Sequence, residues 1–272
     1  MTVEAIRVSS SWLDLREAAD GAARAPELVG QLQHRVQPRS WFIHDLACGS
    51  GAMGRWLAPL LPGPQHWVLH DRDEDLLALA AVDVPGPAAD GSGVTIETRV
   101  SDVTQLVPDD FADATLVTAS ALLDLLTRDE LTALIYACTA AACPALFALS
   151  VTGRVRLHPS DPLDAPVAAA FDAHQRRMTP RGRLLGPDAV EAAVGGFRRL
   201  GADVIVRPSP WRLDVEESNL AAEWLAGWVD AACEQESALA PDADLYRRRR
   251  LKEAAAGALA VTVGHADLLV LR

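Results

Sequence analysis

The spacing of apolar residues along the chain changes near Pro38. Between residues 3 and 37 they recur at helical intervals, and Gly21 and Pro26 interrupt the pattern, which predicts two short helices. Beyond Pro38, short apolar runs alternate with helical segments, an arrangement typical of α/β proteins.

Five apolar or alternating runs in the first half of the chain are predicted strands: residues 41–47, 67–70, 94–100, 114–119 and 145–151. Helical patterns between them cover residues 54–61, 74–81 and 127–142, and the last begins with the capping box Thr127-Arg-Asp-Glu130. Because strands and helices alternate, we expect right-handed crossovers and a parallel sheet covered by helices on both faces.

The second half of the chain is less regular. Its predicted elements are a short helix near 166–175, a helix between Gly186 and Gly201, a strand at 202–207, helices at 216–236 and 242–256, and a last strand at 259–271. The pattern as a whole predicts a doubly wound α/β fold with a seven-stranded, mostly parallel sheet, N-terminal helices and a helical insertion before the last strand.

Charge and composition narrow the classes of partner. The chain has 272 residues, is 50% hydrophobic and carries a formal net charge of −12. A nucleic-acid-binding protein normally presents a basic face, because neutralising phosphates supplies much of its affinity. We therefore expect a small-molecule substrate and no nucleic-acid partner, in a monomer or a homodimer.

The four cysteines and the N-terminus indicate the compartment. No two cysteines have Cys-x-x-Cys spacing and no histidine cluster accompanies them, so we expect neither a metal site nor a disulfide framework. The N-terminus lacks the basic and apolar segments of a signal peptide, and no run of about 18 apolar residues predicts a membrane span. These features predict a cytoplasmic protein without membrane contact.

A glycine-rich turn follows the first predicted strand. Gly49, Gly51 and Gly54 form a G-x-G-x-x-G pattern that opens a helix, where backbone amides and the helix N-terminus favour a ligand. Asp71 ends the next predicted strand and could accept hydrogen bonds from ribose hydroxyls. Dinucleotide-binding and methyltransferase folds share these features, so the features do not distinguish the two ligands.

Asp45, at the carboxyl end of the first predicted strand, helps to distinguish them. A carboxylate beside the turn would repel a pyrophosphate, whereas it would suit a ligand that carries an ammonium group and a sulfonium instead. S-adenosylmethionine is such a ligand.

Asp45-Leu-Ala-Cys-Gly49-Ser-Gly51 resembles motif I, D-x-G-x-G-x-G, of the class I S-adenosylmethionine-dependent methyltransferases, with Ala47 in place of a glycine. Asp71 matches the ribose-binding acid of that family, Asp102 follows the third strand where the family reads the adenine amino group, and residues 111–123 resemble motif IV. The resemblance covers roughly residues 41–151. It implies S-adenosyl-L-methionine as cofactor, S-adenosyl-L-homocysteine as product, and these contacts: Asp45, Ala47, Gly49, Ser50, Gly51, Asp71, Arg72, Asp102, Val103 and Ala119.

The same resemblance implies a division of the chain. Residues 1–40 would form a helical cap and residues 41–272 the methyltransferase domain, with segments 153–186 and 216–256 on the substrate side. Arginine-rich stretches at 176–183 and 247–250 either bind an anionic substrate or form solvated helix faces.

The reacting residues are less defined by sequence. Methyl transfer relies largely on positioning, and a base is needed only when the acceptor must lose a proton. His158, expected on a loop after the fifth strand, is a candidate base, and Asp124 is a candidate substrate ligand. Because Ser120-Ala-Leu-Leu-Asp124 replaces the Asn/Asp-Pro-Pro-aromatic motif of nucleic-acid amine methyltransferases, we predict a small organic acceptor, methylated on O, N or C.

Other functions stay open at this point. The glycines permit an NAD(P)-dependent oxidoreductase, although neither tyrosine is followed four residues later by lysine. An rRNA methyltransferase and a non-catalytic cofactor-binding protein are further alternatives.

Overall fold

The computed structural model describes residues 8–271, so residues 1–7 of the predicted N-terminal cap and Arg272 lie outside the described residues. The two predicted N-terminal helices are confirmed as α1 (Ser10–Ala23) and α2 (Pro26–Arg35). Ser9 caps α1 by accepting a hydrogen bond from the Trp12 amide, and Pro26 opens α2. The break precedes Pro26 because the residue before a proline disfavours helical backbone angles.

A single sheet forms the centre of the molecule. Its first five strands are β1 (Trp41–Leu46), β2 (Gln65–Asp71), β3 (Val94–Val100), β4 (Leu116–Ser120) and β5 (Ala145–His158). Neighbouring strands among these five are parallel, in the order β3-β2-β1-β4-β5. The carboxyl ends of β1 and β4 therefore meet at mid-sheet, where parallel α/β sheets place their ligands.

The remaining described strands are β6 (Met178–Thr179), β7 (Gly182–Arg183), β8 (Asp203–Pro208), β9 (Trp211–Leu213) and β10 (Ala260–Leu271). β10 lies antiparallel between β5 and β8, which completes the order 3-2-1-4-5-10-8 and confirms the predicted mostly parallel α/β sheet. The sequence did not predict the short strand β9, which pairs with β10, or the β6–β7 hairpin.

Helices cover both faces of the sheet. They are α3 (Ala52–Leu57), α4 (Glu74–Val82), α5 (Arg128–Ala140), α6 (Asp164–Gln175), α7 (Ala189–Arg199), α8 (Ser218–Gln235) and α9 (Ala240–Ala255). On one face α5 and α7 pack against the sheet around Phe147 and Phe197. On the other face α2, α3 and α4 pack around Ile43 and Trp67. Helix α3 begins two residues before the predicted start at Gly54.

A third apolar cluster lies beyond the sheet centre. Helices α6, α8 and α9 pack around Trp228 and Tyr246, together with the far parts of β5 and β10. The predicted insertion of two helices before the last strand is confirmed by α8 and α9. Residues Trp12, Ala19 and Ala23 of α1 contact this lobe, so α1 lies between the lobe and the sheet.

The fifth strand corrects one expectation. We expected it to end at Val151 and to be followed by a loop holding His158, but β5 continues to His158, which pairs with Ala260. Asp267 sits where the β5–β10 register shifts, between Ala266 and Leu268. Pairing with β10, interrupted by two register shifts, satisfies backbone groups that a loop would leave to water.

Within residues 8–271, no helix combines the length and the apolar character that crossing a bilayer requires.

Candidate functional site

The glycine turn joins β1 to α3. Gly51 has a φ of 86° and precedes the first residue of α3, and its amide donates to the Cys48 carbonyl. A Cβ at Gly51 would lie 3.3 Å from the Ala80 Cβ, so both the backbone angle and the space favour glycine. The helix N-terminus is thereby brought close to the ends of β1 and β2.

Left-handed backbone angles occur at non-glycine residues near the carboxyl ends of the central strands. Ala47 after β1 has a φ of 50°, Ala121 after β4 has 52°, and Leu149 within β5 has 56°. Each conformation is unfavourable for an L residue, and such strain concentrates at functional sites. At Ala47 the family resemblance has a glycine, so the structure gives a physical reason for that preference.

Asp45 is fully buried at the end of β1. The Thr118 hydroxyl donates a 2.7 Å hydrogen bond to Oδ1, while Oδ2 has no hydrogen-bond partner among the described residues. Burial raises the pKa of Asp45 to about 7, although the Thr118 hydrogen bond and the Arg24 charge act in the opposite direction. Ser50, in the turn that follows β1, is also buried, and its hydroxyl has no hydrogen-bond partner within residues 8–271.

Asp71 lies at the end of β2 and is tied to the glycine turn. Its Oδ2 accepts a 2.9 Å hydrogen bond from the Gly49 amide, and its Oδ1 accepts one of 3.0 Å from the Asp73 amide. Each carboxylate oxygen has a second lone pair, so these bonds leave acceptor capacity for a ligand hydroxyl. The structure thus brings Asp45, Asp71 and the glycines together, as their positions after adjacent strands predicted.

The other predicted cofactor contacts lie on or after neighbouring strands of the sheet. Asp102 is exposed and caps the turn after β3 by accepting hydrogen bonds from the amide and hydroxyl of Thr104. Val103 is half-buried against the α5 face, Ala119 is buried on β4, and Arg72 is exposed after β2.

Two buried histidines lie on the strands beside these carboxylates. His44 Nε2 is 3.2 Å from the Asp113 carboxylate, His44 Nδ1 is 3.0 Å from His70 Nε2, and His70 Nδ1 is 3.0 Å from the Ser101 hydroxyl. Burial lowers the pKa of both rings, that of His70 to about 4. With each ring neutral and protonated on Nε2, the chain of hydrogen bonds runs from Ser101 through both histidines to Asp113.

Helix α1 lies directly over the glycine turn. The Leu13 Cδ1 would be 3.1 Å from a Cβ at Gly49. Glu17 pairs with Arg55 of α3 at 2.6 Å, which lowers the pKa of Glu17 and fastens α1 to the helix that the turn opens. The family resemblance implied a helical cap at the N-terminus, but the sequence gave no signal for the residues through which α1 contacts the turn.

Arg24, at the end of α1, was also missed. It is 3% exposed, its Nη2 donates to the Ser120 hydroxyl at 3.2 Å, and its guanidinium lies over the Trp56 ring at 5.3 Å from the centroid. Burial lowers the pKa of Arg24, and the nearby Asp20, Asp267 and Asp45 charges act against that shift.

Asp267 holds the junction of α1 and α2 against the sheet. Its Oδ2 accepts a hydrogen bond from the Ala25 amide, and its Oδ1 accepts bonds from the Leu149 amide and the Ser209 hydroxyl, all at 2.5–2.8 Å. These bonds compensate for the burial of the carboxylate, which raises its pKa. Asp267 therefore fixes both the junction of α1 with α2 and Leu149, the residue of β5 with left-handed backbone angles.

Asp124 lies on the turn Leu123–Leu125, which follows β4. It is buried, and its Oδ1 has no hydrogen-bond partner within residues 8–271. Burial raises its pKa to about 6, while the charge of Arg16 on α1 acts to lower it. A buried carboxylate with a free oxygen and a pKa near neutrality is suited to accept a proton.

His158, the other candidate base, lies elsewhere. It is exposed, ten residues beyond Ala148, whose partner is Ser120 at the end of β4. The neighbouring Pro159 carbonyl accepts a hydrogen bond from Arg250, which places this part of β5 beside α9. The position at the far end of the strand gives His158 no described contact with the glycine turn.

The arginine-rich stretches are largely engaged in ion pairs. Arg249 bonds Asp161, and Arg250, fully buried, forms two hydrogen bonds to Asp164 at 2.5 and 2.7 Å. Arg176 pairs with Asp188, and Arg181 pairs with Glu130. The pairs of Arg249 and Arg250 join α9 to Asp161 and to α6 within the lobe that α6, α8 and α9 form. The pair of Arg181 joins the β6–β7 hairpin to α5.

The residues at the turn fit S-adenosylmethionine in one specific respect. Asp45 Oδ2 is a buried carboxylate oxygen with no hydrogen-bond partner among the described residues, and Asp45 lies four residues before Gly49 in the turn that opens α3. An ammonium group would satisfy that oxygen, whereas a phosphate would meet an unfavourable charge.

The chain is similar in fold to solved structures of other proteins. No family model and no curated protein sequence matches the chain. A structure of a proposed type II methyltransferase from Anaeromyxobacter dehalogenans matches with a TM-score of 0.50 and 17% identity, over 92% of this chain and 96% of that one.

Two further similar structures have lower TM-scores. A cyclopropane synthase from Mycobacterium tuberculosis has a TM-score of 0.47 and 13% identity, over 100% of this chain and 87% of that one. A methyltransferase from Thiobacillus denitrificans, solved with S-adenosyl-L-homocysteine, has a TM-score of 0.44 and 16% identity, over 98% of this chain and 100% of that one. With its 3-2-1-4-5-10-8 sheet and antiparallel β10, the chain has the Rossmann-like fold of the class I S-adenosylmethionine-dependent methyltransferases.

Proposed function

We propose that this protein transfers the methyl group of S-adenosylmethionine to a small organic acceptor. The observation that carries the proposal is the buried carboxylate of Asp45, with one oxygen unpartnered among the described residues, at the carboxyl end of β1. Leaving a buried hydrogen-bonding group unsatisfied costs about 1–3 kcal/mol, and more when the group is charged. The presence of such a carboxylate beside a glycine turn therefore points to a ligand with a cationic group.

The cofactor supplies an activated methyl group, and the protein supplies position. Asp45 would hold the ammonium group, Asp71 the ribose hydroxyls, and Asp102 with Val103 the adenine. The Gly49 and Gly51 backbone would lie against the amino-acid tail. Helix α1 covers this place and would exclude water from the site.

Asp124 is the group we propose for the acceptor. Its turn follows β4, next to the strand end that Ala119 and Ser120 form, and its free oxygen is buried. If the acceptor is a hydroxyl, Asp124 would take its proton as the methyl group is transferred. If the acceptor is a protonated amine, Asp124 would take the proton first, which frees the nitrogen lone pair for attack on the methyl group. Net charge and the sequence after β4 favour a small molecule over RNA, as argued above.

Calorimetric titration with S-adenosyl-L-homocysteine tests the cofactor assignment. We expect saturable binding by the wild-type protein, a large loss of affinity in Asp45→Asn, and unchanged affinity in Asp109→Asn, which alters an exposed acid. Binding of NAD in place of S-adenosyl-L-homocysteine would instead support an oxidoreductase.

Radiolabelled methyl transfer tests the acceptor class. The labelled cofactor is incubated with the protein and either a small-molecule extract or total RNA. We expect label in the small-molecule fraction, and label in RNA alone would contradict the proposed substrate class.

A further inference from the structure

Arg24 is buried, and its guanidinium has few hydrogen-bond partners among the described residues. Its Nε and Nη1 have no hydrogen-bond partner within residues 8–271, and Nη2 reaches only a neutral hydroxyl, that of Ser120. Arg250 provides a contrast, because its equally buried guanidinium bonds two carboxylates and a carbonyl. A buried guanidinium with two free donors is costly unless another group pairs with it.

The carboxylates near Arg24 are already used by other donors. Asp20 accepts from Arg16 and the Trp211 indole, and Asp267 accepts from two amides and a hydroxyl. Both lie close enough to Arg24 to act on its pKa, yet neither forms a hydrogen bond with it in the described chain. Within residues 8–271, the Nε and Nη1 donors of Arg24 are therefore left for a further group.

Asp45 is the complementary group across this space. Its charge and that of Arg24 act on each other, but no hydrogen bond joins them within residues 8–271. Arg24 reaches the carboxyl end of β4 through Ser120, and Asp45 ends the adjacent strand β1. Thus one carboxylate oxygen of Asp45 and two guanidinium donors of Arg24, all unpartnered among the described residues, border the same end of the sheet.

We propose that Arg24 binds the α-carboxylate of the cofactor's amino-acid tail, while Asp45 binds its ammonium group. An α-amino acid carries these two charges on one carbon, so a single zwitterion satisfies both buried residues. This inference rests on the proposed function and extends it, because it makes the N-terminal helix a part of the cofactor site.

The cofactor would then strengthen the closed position that α1 already occupies. Leu13 lies against Gly49 and Glu17 pairs with Arg55, so α1 must move aside before a ligand can reach the turn. When α1 returns, Arg24 is brought to the carboxylate, and the new ion pair favours the closed arrangement.

Three ligands separate the two charges: S-adenosyl-L-homocysteine has both, its decarboxylated form keeps only the ammonium group, and 5′-methylthioadenosine has neither. Affinities are measured by calorimetry for the wild-type protein, Arg24→Gln and Asp45→Asn, after circular dichroism and thermal unfolding establish that each variant is folded. Arg198→Gln, which removes a guanidinium hydrogen-bonded to the Val204 carbonyl on the α7 side, is the control.

For Arg24→Gln we expect S-adenosyl-L-homocysteine to bind roughly 10–100-fold more weakly, as the loss of a charged hydrogen-bonded pair implies, with the other two affinities unchanged. Asp45→Asn should weaken both ammonium-bearing ligands and leave 5′-methylthioadenosine unchanged. Equal weakening of all three ligands by Arg24→Gln would overturn the inference in favour of a structural role, as would an unchanged affinity for S-adenosyl-L-homocysteine. If the wild-type protein binds none of the three, the proposed function fails first and the inference fails with it.

Discussion

Asp45 is a residue that destabilises the protein around it. It is buried, has a single described hydrogen bond and has a pKa raised to about 7, so its ionised form is disfavoured in the folded chain. Stability and ligand binding therefore make opposite demands on this position, as is common at functional sites.

Asp45→Asn should raise the free energy of unfolding of the ligand-free protein. At about pH 8, where the wild-type carboxylate is ionised, removing the buried charge is expected to stabilise by about 1–3 kcal/mol. Chemical denaturation measures this, with Asp109→Asn as an exposed control that should change little. A destabilised Asp45→Asn protein would mean that the carboxylate has a structural partner.

Ala47 provides a second prediction at this scale. Its φ of 50° is strained for alanine, so Ala47→Gly should stabilise the fold by about 0.5–1 kcal/mol, since relief of strain outweighs the entropy that glycine adds to the unfolded chain. Ala133, exposed on α5, is the control, and Ala133→Gly should destabilise by about 0.5–1 kcal/mol because it lies within a regular helix. Destabilisation at both positions would show that Ala47 is not strained.

At the scale of elements, α1 is the part that joins fold to function. Leu13 contacts the glycine turn, Glu17 pairs with Arg55 of α3, and Trp12 packs against the lobe that α6, α8 and α9 form. Asp267 holds the end of this helix through the Ala25 amide.

Asp267→Asn should destabilise the protein by about 2–4 kcal/mol. The amide side chain can accept on one atom only, so its NH2 group would face a buried N–H or O–H donor and leave it unsatisfied. Unfolding in denaturant measures the loss, and Asp203→Asn, at an exposed position of β8, is the control. A change below about 0.5 kcal/mol, the range usual for surface substitutions, would contradict the role given to Asp267.

The sequence predicted elements better than their extent or their contacts. Apolar periodicity, the capping box at Thr127 and the glycine turn predicted the central strands and helices, because these signals are local. The length of β5 was missed because its outer half is stabilised by pairing with β10, about a hundred residues later.

Some residues of the candidate site could be predicted from the sequence and others could not. Asp45 and Asp71 could be predicted to meet, because both end neighbouring parallel strands. Arg24 and Asp267 could not, because their burial depends on how α1 docks, and nothing in the local pattern around them specifies that contact.

At the scale of the whole molecule, buried ionisable groups make stability depend on pH in two opposing ways. His70, with a pKa of about 4, and His44, with a lowered pKa, remain neutral in the folded chain while the unfolded chain takes up protons below about pH 6.5. They therefore destabilise the protein as the pH falls from about 6.5 towards 4. Asp45 and Asp124 act in the other direction, because the folded protein binds their protons first, from about pH 7 and about pH 6 respectively down to about pH 4.

Acid unfolding should reveal both contributions. The histidines lower stability in both proteins, and Asp45→Asn should lose stability relative to the wild-type protein as the pH falls below about 6.5, because the opposing proton uptake of Asp45 is gone. Denaturant unfolding at several pH values measures the two slopes. Parallel curves for the two proteins would indicate that Asp45 is ionised across the whole range.

The role of Asp45 in binding the cofactor is tested most directly by measuring whether a proton is released when S-adenosyl-L-homocysteine binds. An ammonium group on Asp45 lowers the pKa of that carboxyl from about 7, so binding at about pH 6 should release close to one proton and affinity should rise until about pH 7. Calorimetry in buffers of different ionisation enthalpy measures that proton, which should be nearly absent at about pH 8 and absent in Asp45→Asn. Binding without proton release at about pH 6, or with equal affinity in the wild-type protein and Asp45→Asn, would contradict the claim that Asp45 binds the cofactor's ammonium group.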